Sequence, residues 1–167
     1  MIAAFDVSYA DDGSALAAAV LFETFQDARP CRVYRKKFAD MADYVSGSFY
    51  LRELPCILGL LAEIEERIEV IIIDGYVSLG DQPGLGEHLH RSIAPSIAVI
   101  GVAKGSFAGS RPVKVVRGAS RRPLYVTSHG LEAEQAGRLI QSMHGKYRLP
   151  TLLKTVDKLS REKLPRE

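Results

Sequence analysis

Two carboxylates and one ammonium stand at telling places in apolar segments. Ile2-Ala3-Ala4-Phe5-Asp6-Val7 carries Asp6 inside a strand-like run. Burying that carboxylate unpaired is costly, so it needs a cation, a metal or a cage of hydrogen bonds. Val70-Ile71-Ile72-Ile73 runs without alternation into Asp74 and Gly75. Such a run reads as a strand buried on both faces in a mostly parallel sheet. Asp74 then falls at the strand's carboxyl end, where open α/β sheets place their chemistry. An Asp there also serves simply to cap a turn. Chemistry requires that other charged groups reach the same end. Lys104 repeats the position after Ala98-Val99-Ile100-Gly101-Val102-Ala103. Glu53 opens an apolar helical pattern, where an acid equally complements the helix macrodipole.

The elements that would position these groups follow from the patterning. Ile2 to Tyr9 is a first strand, and Asp11-Asp12-Gly13 is a turn. Ala15 to Phe25 holds an apolar run of strand length. Cys31 to Phe38 alternates and is basic, as suits a strand near an edge. Phe49 to about Ile68 reads as a helix, because Leu51, Leu54, Ile57, Leu58, Leu61, Ile64 and Ile68 line one face. Pro55 is placed in its first turn. After the strand to Asp74 come a loop from Tyr76 to Pro83 and a helix from Leu85 to Ile93. The strand to Lys104 follows. Val113 to Val116 and Leu124 to Thr127 pair as a hairpin across a basic turn. Ser128 is a candidate cap for a helix from about Leu131 to Met143. Pro150 breaks the chain before a last helix from Thr151 to Leu164, which carries Asp157.

The 167 residues suffice for one domain, 1–167, with a real core. At 47% hydrophobic and 25% charged, the composition is that of a soluble globular protein. No apolar run reaches the roughly 20 residues that span a bilayer, so no membrane partner is expected. No basic lead precedes the first strand, so no signal peptide is expected. Cys31 and Cys56 form no disulfide framework or zinc cluster, which fits a reducing cytoplasm. A net charge of +2 says little about partners, but its distribution says more. Arg111, Lys114, Arg117, Arg121 and Arg122 lie within twelve residues that hold no acid, and the chain beyond Lys146 is again basic. Such patches can neutralise phosphates, or simply be a solvated face. No P-loop, dinucleotide glycine fingerprint or zinc motif is present.

Three strands, a helix, a strand, a helix and a strand is the order of the ribonuclease H-like fold, an α/β architecture with a mixed central sheet. There an Asp of the first strand faces an Asp ending the fourth, and Asp6 and Asp74 occupy those places. The chain also resembles the endonuclease V family over nearly its whole length. Asp6-Val7-Ser8-Tyr9, Tyr44-Val45-Ser46-Gly47-Ser48-Phe49-Tyr50-Leu51-Arg52-Glu53 and Asp74-Gly75 are similar to its motifs. So are Gly84-Leu85-Gly86-Glu87-His88-Leu89, Gly101-Val102-Ala103-Lys104, Pro123 to Gly130 and Tyr147-Arg148-Leu149-Pro150, all in order. The resemblance implies hydrolysis of a phosphodiester near deaminated purines, deoxyinosine in DNA or inosine in RNA, with magnesium or manganese in its stead. It implies that Asp6, Glu53 and Asp74 hold the metal, with Asp157 at the place of a fourth ligand. Lys104 would lie near the scissile phosphate. Tyr44 and Gly47 fall in the loop the family uses as a wedge beside the damaged base, and His129 in the region approaching the base pocket. Arg117, Arg121 and Arg122 would hold the nucleic-acid backbone. A monomer is the default.

The chain departs from the family after Asp74-Gly75. A further glycine and His-Pro-Arg usually follow; here Tyr76-Val77-Ser78-Leu79-Gly80-Asp81-Gln82 is about one residue shorter and lacks that histidine and arginine. Asp81 is a candidate outer-sphere substitute. Asp43 and Ser46 replace the wedge loop's prolines, which should loosen it. Two other readings remain open: a nucleic-acid binder that kept the fold and lost turnover, and a small-molecule α/β enzyme. For the latter no nucleophile elbow or cysteine phosphate loop is found.

Overall fold

The chain starts with a hairpin. β1 (Ile2–Tyr9) and β2 (Ala15–Phe22) pair antiparallel from Ile2 opposite Phe22 to Tyr9 opposite Ala15. The turn between them is fixed by Asp12, whose carboxylate accepts from the Ser14 amide at 2.9 Å and from its hydroxyl. β3 (Arg32–Phe38) adds the basic edge. The structure is a computed structural model and describes residues 1–39, 46 and 48–162. Tyr44 and Gly47, expected in the wedge, lie outside the described residues.

Beyond the meander come α1 (Tyr50–Leu61), β4 (Val70–Asp74), α2 (Leu85–Arg91), and β7 (Ala98–Ala103). The expected loop between β4 and α2 contains two short paired strands, β5 (Ser78–Leu79) and β6 (Gln82–Pro83). β8 (Val113–Val115) and β9 (Leu124–His129) form the anticipated hairpin, and α3 (Ala133–Ser142) and α4 (Thr151–Arg161) close the chain. The main sheet has seven strands in the order β3-β2-β1-β4-β7-β9-β8. β1, β4 and β7 run parallel at its centre, and the other pairs are antiparallel. This is the mixed sheet of a ribonuclease H-like fold. Among the described residues no helix is long and apolar enough to cross a membrane.

Strand alternation divides the core in two. Ala4, Val20, Ile72, Ile100 and Val126 point to the face covered by Ile140 of α3 and Leu152 and Val156 of α4. Phe5, Leu21, Ile71, Ile73 and Val99 point to the face covered by Ile57 and Leu60 of α1 and Leu89 of α2. The alanines of β2 are buried almost completely. Small side chains there let the helices come close to the sheet, and this tertiary demand overrides alanine's helix preference.

Several boundaries differ from the sequence expectation. α1 stops at Leu61 rather than near Ile68. The segment after it is held by side chains of the edge strand: Lys36 to Glu63 at 2.6 Å, Tyr34 hydroxyl to Glu66 at 2.8 Å and Arg32 to Glu66 at 3.4 Å. Ile64 and Ile68 still pack on the core, from this connection and not from a helix. Pro55 lies in the second turn of α1, not the first, since it is five residues beyond the helix's first residue, Tyr50. Ser128 does not cap α3. It belongs to β9, its hydroxyl donates to the Leu131 carbonyl at 2.7 Å, and Glu132 precedes the helix.

Candidate active site

The alternation that builds the α4-side core also delivers the charged groups. Ala4, Ile72 and Val102 face α4, and two residues on along each strand stand Asp6, Asp74 and Lys104. β1 and β4 are in register from Ile2 opposite Val70 to Phe5 opposite Ile73, so the next step brings Asp6 level with Asp74. Apolar stripes thus turn polar together at the carboxyl ends of parallel strands. α4 passes over this end and supplies Asp157, Ser160 and Arg161. Glu53 arrives from the first turn of α1 and is only 8% exposed. Asp6, Glu53, Asp74 and Arg161 line one cleft, and Asp6, Asp74, Lys104 and Asp157 line the cavity beside it.

The ion pairs run along α4. Lys104 Nζ lies 3.7 Å from Asp74 Oδ2 and 3.5 Å from Asp157 Oδ1, and Arg161 lies 2.9 Å from the same Asp157 oxygen. The buried Ser160 hydroxyl donates to Asp6 Oδ2, and the Ser8 hydroxyl donates to the Ser160 carbonyl. Arg148 donates to the carbonyls of Lys104 and Pro123, tying the approach to α4 to the end of β7.

The acids outnumber the cations that reach them. Burial, reinforced by the charges of Asp6 and Asp74, pushes the Glu53 carboxyl up to about 9. Burial pushes Asp6 up to about 6, against the hydrogen bond from Ser160, while Asp74 and Asp157 push the same way as burial. Asp74 is raised by desolvation at the strand end, with Lys104 pulling it back. An excess of crowded carboxylates is relieved by protons or by a cation. Oxygen donors without histidine or cysteine suit a hard divalent ion such as magnesium. The side chains as they stand do not close round one point: among the described residues no three His, Cys, Asp or Glu gather closely enough to hold a metal ion. The donor chemistry fits such an ion, and holding it needs the side chains to draw in.

The turn after Asp74 is shaped by one close approach. Gly75 has φ +123°, a conformation that favours glycine. The chain then crosses β7 at Gly101, where a Cβ would stand 2.5 Å from the Gly75 carbonyl oxygen and 2.9 Å from Thr127 Oγ1. Thr127 Oγ1 accepts from the Val77 amide at 2.8 Å. Asp81 lies on the turn between β5 and β6 and not on the lining of either cavity.

The structure distributes the remaining site candidates unevenly. Arg121 and Arg122 are exposed on the turn between β8 and β9, at the same end of the sheet as Asp74. Arg117, expected to hold nucleic acid, is instead 5% exposed. Its guanidinium donates to the carbonyls of Met143, Gly145, Tyr147 and Arg148, so its donors are spent on the chain's own backbone. His129, expected in the region approaching the base pocket, is at the opposite end of the sheet from Asp74. β9 runs antiparallel to β7, so His129 pairs with Val99 whereas Asp74 pairs with Val102, about 10 Å further along the strand. There His129 stacks on His90 with ring centroids 3.9 Å apart. Sequence reasoning missed Arg148, Ser160 and Arg161. The signal for the last two was the spacing of three and four from Asp157, which puts all three on one helical face.

The Endonuclease V family model matches residues 1–122. Endonuclease V of Xanthomonas axonopodis pv. citri is 31% identical over 110 residues, covering 66% of this chain and 46% of the relative. The chain therefore spans about half the length of the curated relatives of this genus that it matches. The crystal structure of human ENDOV superposes with a TM-score of 0.78 at 25% identity, covering 96% of this chain and 82% of that one. Ciona intestinalis Endonuclease V, solved in complex with a DNA containing an inosine followed by a ribo-adenosine, has the same fold, with a TM-score of 0.78 at 18% identity over 96% of this chain and 84% of its own. The matched segment brings Asp6, Glu53, Asp74 and Lys104 to one end of the sheet, and with these matches it shows that the chain belongs to the endonuclease V family.

Proposed function

We propose that this chain is a metal-dependent endonuclease that hydrolyses a phosphodiester near inosine in DNA or RNA, in nucleic-acid repair or processing. The observation that carries the proposal is the convergence of Asp6, Glu53 and Asp74, from two strands and a helix, on one cleft with Lys104 and Asp157 beside it. Family membership and the inosine-containing DNA bound by the Ciona protein support the substrate class.

In this mechanism Asp6, Glu53 and Asp74 would hold magnesium, or manganese in its place, and Asp157 would complete the set. The bound ion would lower the pKa of a water and neutralise charge developing on the phosphate. The chain's own residues do the rest. Ser160 orients Asp6 by donating to Oδ2. Arg161 fixes Asp157. Lys104, already drawn to two carboxylates, presents its ammonium to a phosphate oxygen, where its positive charge offsets the charge that develops there. Burial and its acidic neighbours keep Glu53 protonated near neutrality, so holding a cation there would require that proton to leave. Arg121 and Arg122, exposed at this end, hold the backbone of the strand.

A second reading is a nucleic-acid-binding protein with weakened catalysis. It is favoured by the altered segment after Gly75, which folds as the small β5–β6 hairpin without the family's histidine and arginine. Labelled single- and double-stranded oligonucleotides with one inosine, in DNA and RNA, separate the two when incubated with magnesium or manganese. The nuclease predicts a metal-dependent nick near the inosine that Asp74→Ala abolishes. Inosine-dependent binding without a nick under either metal would establish the binder instead.

A further inference from the structure

On the other side of Asp157 from the acids, a groove runs past Ser120, Tyr147, Leu149 and Lys154. Asp157 and Leu149 line both this groove and the cavity at Lys104, so the two adjoin. Tyr147 is 61% exposed, which is unusual for a large aromatic side chain. Two ammonium groups lie near its ring, Lys146 Nζ at 5.4 Å and Lys154 Nζ at 5.6 Å from the centroid.

The backbone beneath this exposed ring is held on every side. Arg117 donates to the carbonyls of residues 143, 145, 147 and 148. The Thr151 amide donates to the His144 carbonyl at 2.8 Å. Arg148 donates to the Pro123 carbonyl at 2.7 Å. A buried arginine and a web of backbone bonds thus fix a loop that presents its tyrosine to solvent. Such a ring costs little further ordering when something stacks on it.

We propose that Tyr147, flanked by Lys146 and Lys154, is a stacking platform for an unpaired nucleotide of the strand that enters the acidic cleft. This rests on the reading of that cleft as a phosphodiester site. An aromatic face beside ammonium groups is the chemistry that binds single strands: the ring takes a base and the ammonium groups take the adjoining phosphates. Duplex bases keep their faces stacked inside, so the occupant is an unpaired segment. Arg121 and Arg122 follow Ser120 on the same turn and extend the positive rim. The groove leads to Asp157 and so to the proposed scissile position.

The chain contains no tryptophan, so Tyr147→Trp supplies a lone reporter at the platform. An inosine-free single-stranded oligonucleotide is titrated in chelator, following both oligonucleotide anisotropy and tryptophan emission. Binding should quench the emission. Tyr147→Ala should weaken binding roughly ten-fold or more, while Tyr147→Phe retains it. Lys146→Ala with Lys154→Ala should flatten the slope of log K against log salt by about 1.4. Unchanged emission on binding, or Tyr147→Ala binding as tightly as wild type, overturns the platform. Nicking of an inosine strand is read alongside. Wild type that nicks while Tyr147 variants bind normally overturns the platform alone. Wild type that binds through Tyr147 but never nicks supports the platform and overturns the nuclease. No binding of any strand overturns both.

Discussion

Glu53→Gln should make the metal-free protein more stable at neutral pH, because the wild-type carboxyl is held in a place that opposes its charge. Its value rises from an ordinary 4.5 to about 9 through burial and the neighbouring Asp6 and Asp74. Below 4.5 the acid is protonated in both the folded and the unfolded chain and does not affect the balance. As pH rises, the unfolded chain releases this proton and the folded chain retains it, so stability falls until about pH 9. At pH 7 the gap is 2.5 units at about 1.4 kcal/mol each, so roughly 3 kcal/mol. Glutamine keeps the shape of the acid and has no proton to lose, so the variant escapes this penalty. The two proteins should be nearly equal at pH 4.5, and the variant should melt higher at pH 7 by roughly 6 to 12 °C. Urea or thermal unfolding in chelator, from pH 4.5 to 8.5, measures the difference. Parallel stability curves across that range would refute the electrostatic argument. Added magnesium should raise wild-type stability at pH 7 more than that of the variant, since an ion that binds only the folded state stabilises it by mass action.

Two further predictions test the positioning residues. Arg117→Ala should cost on the order of 3–5 kcal/mol by urea unfolding, since it strands four buried or half-buried carbonyls. The exposed Arg121→Ala and Arg122→Ala should each leave stability within about 0.5 kcal/mol and lower the salt slope of single-strand binding by about 0.7. The reverse pattern would return Arg117 to the nucleic-acid surface. Gly101→Ala should destabilise by about 1–3 kcal/mol, because its Cβ would stand 2.5 Å from the Gly75 carbonyl oxygen. It should also cut nicking more than that loss explains, since the turn after Asp74 must move; unchanged melting and nicking would show that the crossing is slack.

What the sequence made legible and what it hid have a common cause. Apolar runs that end in a charge, to Asp74 and to Lys104, are local, and so is the carboxylate inside the run around Asp6. Their order along the chain sufficed to bring them to one end of a parallel sheet, because parallel neighbours end on the same side. Arg117 and His129 lie in the antiparallel part, where direction decides everything. The charge run from Arg111 to Arg122 looks uniform as text, yet Arg117 alone turns inward while Arg111, Lys114, Arg121 and Arg122 stay exposed. Nothing local to Arg117 announces four carbonyls that come from residues 143 to 148. His129 sits only a few residues beyond Tyr125, the partner of Ala103, but each step along β9 carries the chain away from the acids. The end of α1 was hidden for a similar reason: Ile64 and Ile68 keep helical spacing, while Glu63 and Glu66 after the helix pair with Arg32, Tyr34 and Lys36 of the distant edge strand. Periodicity names the face of a residue, and long-range pairing names its end. A site at strand ends becomes readable when its residues come from parallel strands, as Asp6, Asp74 and Lys104 do.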